Sequence, residues 1–125
     1  MLIRELFEDL SFSEMKYVEQ IADAFWNKLG IEVKFTRHFM DRVNDARNRE
    51  PITADELIEL FKKEYKLYGK DISSMHPDSE AVMKDIISKI NLPFVITTHG
   101  RHKDIIAKTV MRKDDFKTPG AIYKV

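Results

Sequence analysis

The fifteen residues from Phe35 to Arg49, FTRHFMDRVNDARNR, hold the densest group of side chains able to move protons and bind anions. Read as a helix beginning near Arg37, the segment sets His38 and Arg42 one turn apart and continues the same stripe through Asp45 and Arg49, with Arg37 and Arg47 beside it. Imidazole exchanges a proton near neutral pH, and guanidinium offers a fixed fork of N–H donors that matches a phosphate. Together they are parts for cleaving a phosphodiester without a metal: a base at the attacking hydroxyl, and positive charge where negative charge develops. The competing reading is a solvated helix face, with Arg42 and Asp45 as an i,i+3 ion pair and His38 capping or packing.

A second group, His99, Arg101, His102 and Lys103, falls in a predicted hairpin loop and is followed by Lys108, Thr109 and Arg112 on the return strand. From Lys84 to Val125 there are nine basic side chains against four acidic ones, whereas residues 1–83 hold twelve against seventeen. The zero net charge of the 125-residue chain therefore hides a positive end, a footprint that a phosphate chain could use or that a mixed-charge sheet surface would show equally. His99-x-x-His102 with Asp104 offers nitrogen and oxygen donors, but without Cys or a third His nearby it makes a poor zinc site and reads as a loop, so no metal is expected. Ser73, Ser74 and Ser79 lack a nucleophile-elbow context, and four glycines form no phosphate loop, so no cofactor is expected. Among the aromatic residues, Tyr68 and Tyr123 are the candidates to stack on a base.

These side chains need elements to hold them. Ser11 and Glu14 form a capping box that opens a helix with Met15, Val18, Ile21, Ala22, Phe25 and Leu29 on one face, stopped by Gly30. Ile31, Val33 and Phe35 alternate with polar residues as a short strand. Thr36 is the candidate N-cap of the His38 helix, which turns Phe39, Val43 and Ala46 inward and runs toward Pro51. Thr53 and Glu56 open a further helix with Leu57, Phe61, Tyr65 and Tyr68 inward, closed by Gly69. Residues 92–98 read as a strand, and Ile105–Arg112 as its return, with Ile106, Lys108, Val110 and Arg112 sharing one face. Pro119-Gly120 reads as a type II turn before a last strand from Ala121. In 81–90, Val82, Met83, Ile86, Ile87 and Ile90 fit a helical stripe capped by Asp78 or Ser79, so helix is expected, with a strand of the meander as the alternative. Helices followed by strands give α+β: amino-terminal helices packed on a small antiparallel sheet formed mainly by the carboxy-terminal half.

The length suits a single domain that buries about two thirds of its unfolded surface. No apolar run reaches a membrane span, and acids within MLIRELFEDL argue against a signal peptide, so a soluble cytoplasmic protein without a membrane partner is expected. The absence of Cys removes disulfides and thiolate sites. Ile3, Leu6, Phe7 and Leu10 recur at helical spacing, an amphipathic turn suited to docking on the rest of the chain, on a protein partner or on a second copy in a homodimer.

Phe35-Thr36, His38, Arg42 and Arg47, then Ile52-Thr-Ala-Asp-Glu-Leu57 and Phe61, then Lys108-Thr-Val-Met-Arg112 together resemble the barnase, EndoU, colicin and RelE-like fold, especially its phage-encoded branch. Leu2-Ile-Arg-Glu-Leu6 is similar in style to uncharacterised proteins of tailed phages. The resemblance covers residues 31–112, and implies a nuclease-like core over 31–125 preceded by a helical extension over 1–30. It implies helices on an antiparallel sheet that carries basic site residues, metal-independent cleavage of RNA in the cytoplasm of an infected host cell, and a site formed by His38, Arg42, Arg47, Lys108, Thr109 and Arg112. The chain departs from typical toxin members in its neutral charge and its extra helix.

Two functional expectations follow. One is an endoribonuclease using His38 as base and Arg42, Arg47, Lys108 and Arg112 for charge, with Thr109, His99, Arg101 and His102 touching substrate. The other is a non-catalytic accessory or interaction domain that keeps the fold. Simple binding of nucleic acid by the basic end would differ from both in a steep salt dependence alone.

Overall fold

The computed structural model describes residues 9–125; Ile3, Leu6 and Phe7 of the expected amphipathic turn lie outside the described residues. Leu10, the last of that group, is tied into the chain itself. Its N–H donates to Asn44 Oδ1 (2.9 Å), its carbonyl accepts from Asn44 Nδ2 (3.0 Å), and its side chain packs on the core.

Ser11 and Glu14 form the capping box that opens α1 (Phe12–Trp26), which buries Met15, Val18, Ala22 and Trp26. Trp26 takes the inward place expected of Phe25, because the buried row follows 3.6 residues per turn to its end; Ile21, Phe25 and Leu29 are only partly covered. A 3₁₀ turn, Asn27–Leu29, ends at Gly30, whose φ of +74° suits glycine. β1 (Ile31–Phe35) alternates buried and exposed residues as expected. Thr36 caps α2 (Arg37–Val43), accepting from Phe39 N–H at 3.0 Å. Thr53 and Glu56 form the capping box of α3 (Ala54–Ser73), which runs on past Gly69. Gly69 is a packing glycine rather than a stop: a Cβ there would lie 2.9 Å from Leu29 Cδ1.

The strands are β2 (Glu80–Lys84), β3 (Ile90–His99), β4 (His102–Ala107), β5 (Met111–Arg112) and β6 (Ala121–Lys124). The sheet order is β1-β4-β3-β2-β6, with β5 also on β3. The fold is α+β, but the sheet is mixed: β3 runs antiparallel to β2, β4 and β5, while β1 and β6 join parallel to β4 and β2. Val33 and Phe35 align with Ile105 and Ala107, and these with Ile96 and Phe94, on the face against the helices, where Ile31, paired with Lys103, is also buried. Phe35 stacks on Phe61 of α3 with ring centroids 5.8 Å apart. The outer edge of β1 is closed by α1, where Asp23 and Glu19 accept the N–H groups of Val33 (2.8 Å) and Phe35 (2.6 Å), blocking a pairing edge. Among the described residues, no helix is long and apolar enough to cross a membrane.

Three expectations about the elements are corrected. Residues 81–90 are not a helix: β2 buries Ala81 and Met83 against the helices and Val82 on the opposite face, and a turn at Asp85 leads into β3. Gly120 has no positive φ, so there is no type II turn; it is small because a Cβ there would lie 2.9 Å from the Glu80 carbonyl. The return strand from Ile105 to Arg112 is broken after Ala107. Lys108 N–H donates to Pro93 O (2.9 Å), but Pro93 has no N–H to return, and Thr36 Oγ1 donates to the Lys108 carbonyl instead (3.0 Å). When pairing with β3 resumes at Met111, the register has advanced by one residue. Such a bulge swaps faces, so Lys108 and Arg112 do not share one.

Glu64 of α3 is fully buried, and neither carboxylate oxygen has a well-formed hydrogen bond. Burial pushes its pKa up to about 9, against a weaker opposing pull from the Lys84 main chain and with a further push from the Asp85 charge. The folded chain therefore keeps a proton that the unfolded chain releases above pH 4.5, so stability falls as pH rises from about 4.5 to about 9. At pH 7 the cost is about 3 kcal/mol, taking about 1.4 kcal/mol per pH unit. Glu64→Gln is expected to be more stable than the parent by about that amount at pH 7 and nearly equal to it at pH 4.5. Denaturant unfolding of both at the two pH values measures the difference.

Candidate functional site

The bulge and the end of α2 face each other across a cleft of about 1000 Å³, lined by His38, Arg42, Asp45 and Arg47 on one side and by Ile87, Thr109 and Arg112 on the other. α2 ends at Val43 rather than running toward Pro51, so Asp45 and Arg49 do not extend its stripe as turns of one helix. Ala46, expected inside, is exposed. Asp45 instead caps a 3₁₀ turn, Ala46–Asn48, by accepting from Arg47 N–H at 2.8 Å.

This break brings the charged groups together. Arg42 Nε donates to His38 Nε2 at 3.4 Å, which leaves Nε2 as the unprotonated ring nitrogen, and Arg42 Nη1 donates to Asp45 Oδ2 at 2.8 Å. Arg47 forks onto the same carboxylate through Nε (3.1 Å) and Nη2 (3.0 Å). One carboxylate thus orients two guanidinium groups, and each keeps one terminal nitrogen without a partner among the described residues. The i,i+3 pair of Arg42 with Asp45 that defines the solvated-face reading is present, but it sits on the wall of a cleft.

Asn48 and Arg112 fasten the two walls. The buried Asn48 donates to the carbonyls of Arg42 (3.0 Å) and Val43 (3.3 Å) and accepts from Arg112 N–H (3.1 Å), tying the end of α2 to β5. All five N–H donors of the Arg112 guanidinium are engaged. They reach both oxygens of Glu56 (2.9 and 3.1 Å) and the carbonyls of Glu50 (3.4 Å), Pro51 (2.8 Å) and Ser88 (2.8 Å). Arg112, expected to stabilise charge on a substrate, is therefore a strut of the cleft with no donor to spare. Burial pushes the Glu56 carboxyl up, but the Arg112 hydrogen bonds, the Thr53 N–H and the Arg112 charge outweigh it and hold its pKa below the usual value.

No family model, curated protein or solved structure matches this chain.

Of the expected site residues, His38, Arg42, Arg47, Thr109 and Arg112 line the cleft, and four others do not. Lys108 sits on the other face of the sheet in an ion pair with Glu80, beside Pro93 and Phe116. His99, Arg101 and His102 flank the β3–β4 turn at Gly100, the far end of β3 from Ile90. Ten residues of strand put about 30 Å between the two ends. Lys103 at the same turn is committed to the carbonyls of Ser73 and Met75 at the end of α3. Tyr68 and Tyr123, the candidates for stacking on a base, pack on each other with centroids 5.0 Å apart, and Tyr68 Oη donates to Lys124 O.

Arg49 and Lys113 also line the cleft, and neither has an ion-pair partner among the described residues. Arg49 has φ +66° and ψ −61° and centres a three-residue turn closed by Glu50 N–H on Asn48 O at 2.7 Å. That backbone region is strained for any residue but glycine, and it carries Arg49 off the α2 stripe to the cleft. Helical spacing places Arg49 with His38 and Arg42 but not by this route, and no spacing rule flags Lys113.

Proposed function

We propose that the protein is a metal-independent endoribonuclease acting on RNA in this cleft. The observation that carries the reading is the convergence of His38, Arg42, Arg47 and Thr109 on one cavity, from segments about seventy residues apart in sequence. The resemblance of residues 31–112 to the barnase and RelE-like fold points the same way. Arg42 Nε–H leaves His38 Nε2 for the phosphate as RNA enters, and the freed Nε2 accepts the ribose 2′-hydroxyl proton. The 2′-oxygen bonds to the adjacent phosphorus, the bond to the 5′-oxygen breaks, and that oxygen takes a proton from water, leaving a 2′,3′-cyclic phosphate. The unengaged nitrogens of Arg42 and Arg47 meet the phosphoryl oxygens as charge builds on them, and Asp45 keeps both guanidinium groups beside the reacting phosphate. Thr109 offers a hydroxyl from the bulge, while Arg112 is a positioning residue. Lys108, His99, Arg101 and His102 have no part in this cleft.

Incubation of the purified protein with tRNA and mRNA in the presence of a chelator is expected to give fragments ending in cyclic phosphate. RNA that stays intact at stoichiometric protein would overturn the reading.

A further inference from the structure

The β2–β3 turn breaks the usual chemistry of turns. Its tip is Ile86-Ile87, where small or polar residues are the norm, and both side chains point outward, Ile86 56% and Ile87 88% exposed. The turn is nonetheless tightly held. Asp85 Oδ1 accepts from Ile87 N–H (2.9 Å) and Ser88 N–H (3.2 Å), Ile86 N–H donates to Val125 O (2.9 Å), and Lys89 N–H closes onto Asp85 O (2.9 Å). Arg112 Nη1 then binds Ser88 O, which fixes the turn to the wall of the cleft. A rigid loop that spends two β-branched apolar side chains on solvent has no folding reason for them.

Ile87 lines the cleft opposite His38, Arg42 and Arg47. The lining carries acids, Asp114 and Asp115 among them, as well as basic groups, but Asp45 and Glu56 are taken up by Arg42, Arg47 and Arg112. The guanidinium nitrogens left open opposite Ile87 suit an occupant with an apolar face near a negative charge, as in an unstacked nucleotide whose base and phosphate hang from one ribose. Apolar wedges of this size are used to part stacked bases, and base packing in single-strand grooves is tolerant of sequence. We propose that Ile87, buttressed by Ile86, is a wedge on which an unpaired base packs while its phosphate meets Arg42 and Arg47, so that the cleft takes single-stranded and not duplex RNA. The proposal rests on the ribonuclease reading and adds the substrate's strandedness and the residue that selects it. A base on Ile87 is held out of its stack, which a duplex resists and a single strand permits.

The test uses an RNA carrying 2-aminopurine and 2′-O-methyl riboses, which cannot be cut by 2′-oxygen attack, in single-stranded and duplex form. The parent protein is expected to bind the single strand, raise its 2-aminopurine fluorescence as the base leaves its stack, and bind the duplex at least tenfold more weakly. Ile87→Ser, at a side chain with almost no burial to lose, is expected to keep the parent melting temperature, weaken single-strand binding about tenfold and lose the fluorescence rise. Equal binding of single strand and duplex, or an Ile87→Ser protein that unstacks the base as the parent does, overturns the wedge and leaves the nuclease standing if unmodified RNA is still cut. A parent protein that neither binds nor cuts RNA overturns both. An Ile87→Ser change that instead splits a self-associated species in size-exclusion chromatography assigns the pair to a protein contact and also overturns the wedge.

Discussion

Replacing Arg112 with Ala is expected to lower stability by about 3 kcal/mol, the scale seen when one partner of a mostly buried ion pair is removed. The side chain is 12% exposed and its partner Glu56 29% exposed, so water makes good only part of what either charge would lose. The substitution also leaves the carbonyls of Glu50, Pro51 and Ser88 without their donor. Arg112→Lys keeps the charge but cannot reach five acceptors from one point, and is expected to recover less than half of the loss. The effect has a pH signature. Because the folded-state pKa of Glu56 lies below its ordinary 4.5, the contribution of the pair is present above that pH and is lost as pH falls through the folded value. The gap between parent and Arg112→Ala is therefore expected to narrow in acid. Denaturant unfolding at neutral and acid pH reads both effects, and a loss below about 1 kcal/mol at neutral pH would show that Arg112 is no strut.

His38→Ala is the counterpart at the chemical step. If His38 is the base of the proposed reaction, its removal lowers the RNA cleavage rate by about 10² to 10⁴-fold, the usual share of a positioned general base. The side chain is exposed and its hydrogen-bonding partner within the chain is Arg42, so the unfolding midpoint is expected to move little. Arg112→Ala reverses that pattern, with large changes in stability and loss of activity that follows loss of the folded cleft. A His38→Ala protein that cuts RNA at the parent rate removes the imidazole from the reaction.

Much of the scaffold is legible in the chain because it depends on local rules. The two capping boxes, the Thr36 cap, the alternation in β1 and the left-handed Gly30 are each set by residues within a few positions of one another. The half of the site on and just after α2 is readable for the same reason. What escapes local reading is the opposite wall. The face on which Arg112 lands is decided by a missing N–H at Pro93, some twenty residues earlier, whose ladder partner Lys108 turns to Thr36 instead. A single added residue in the register then moves Arg112 to Glu56 and leaves Lys108 beside Glu80. Residues 81–90 mislead for a related reason. Val82 and Met83 are apolar because both faces of β2 are covered, while Ile86 and Ile87 are apolar although they face solvent, and together they imitate a helical stripe. Gly69 shows the same limit, since its place in mid-helix is set by the close approach of Leu29 from another element.

The most direct measurement follows the cutting of a DNA oligonucleotide that carries one ribose, in the presence of a chelator, by the parent protein and by His38→Ala. If His38 draws the proton from a 2′-hydroxyl, the parent cuts only on the 3′ side of that ribose and leaves a cyclic phosphate, and His38→Ala leaves the strand intact on the same time scale. Cutting at deoxyriboses, equal cutting by the two proteins, or no cutting at stoichiometric protein would contradict it.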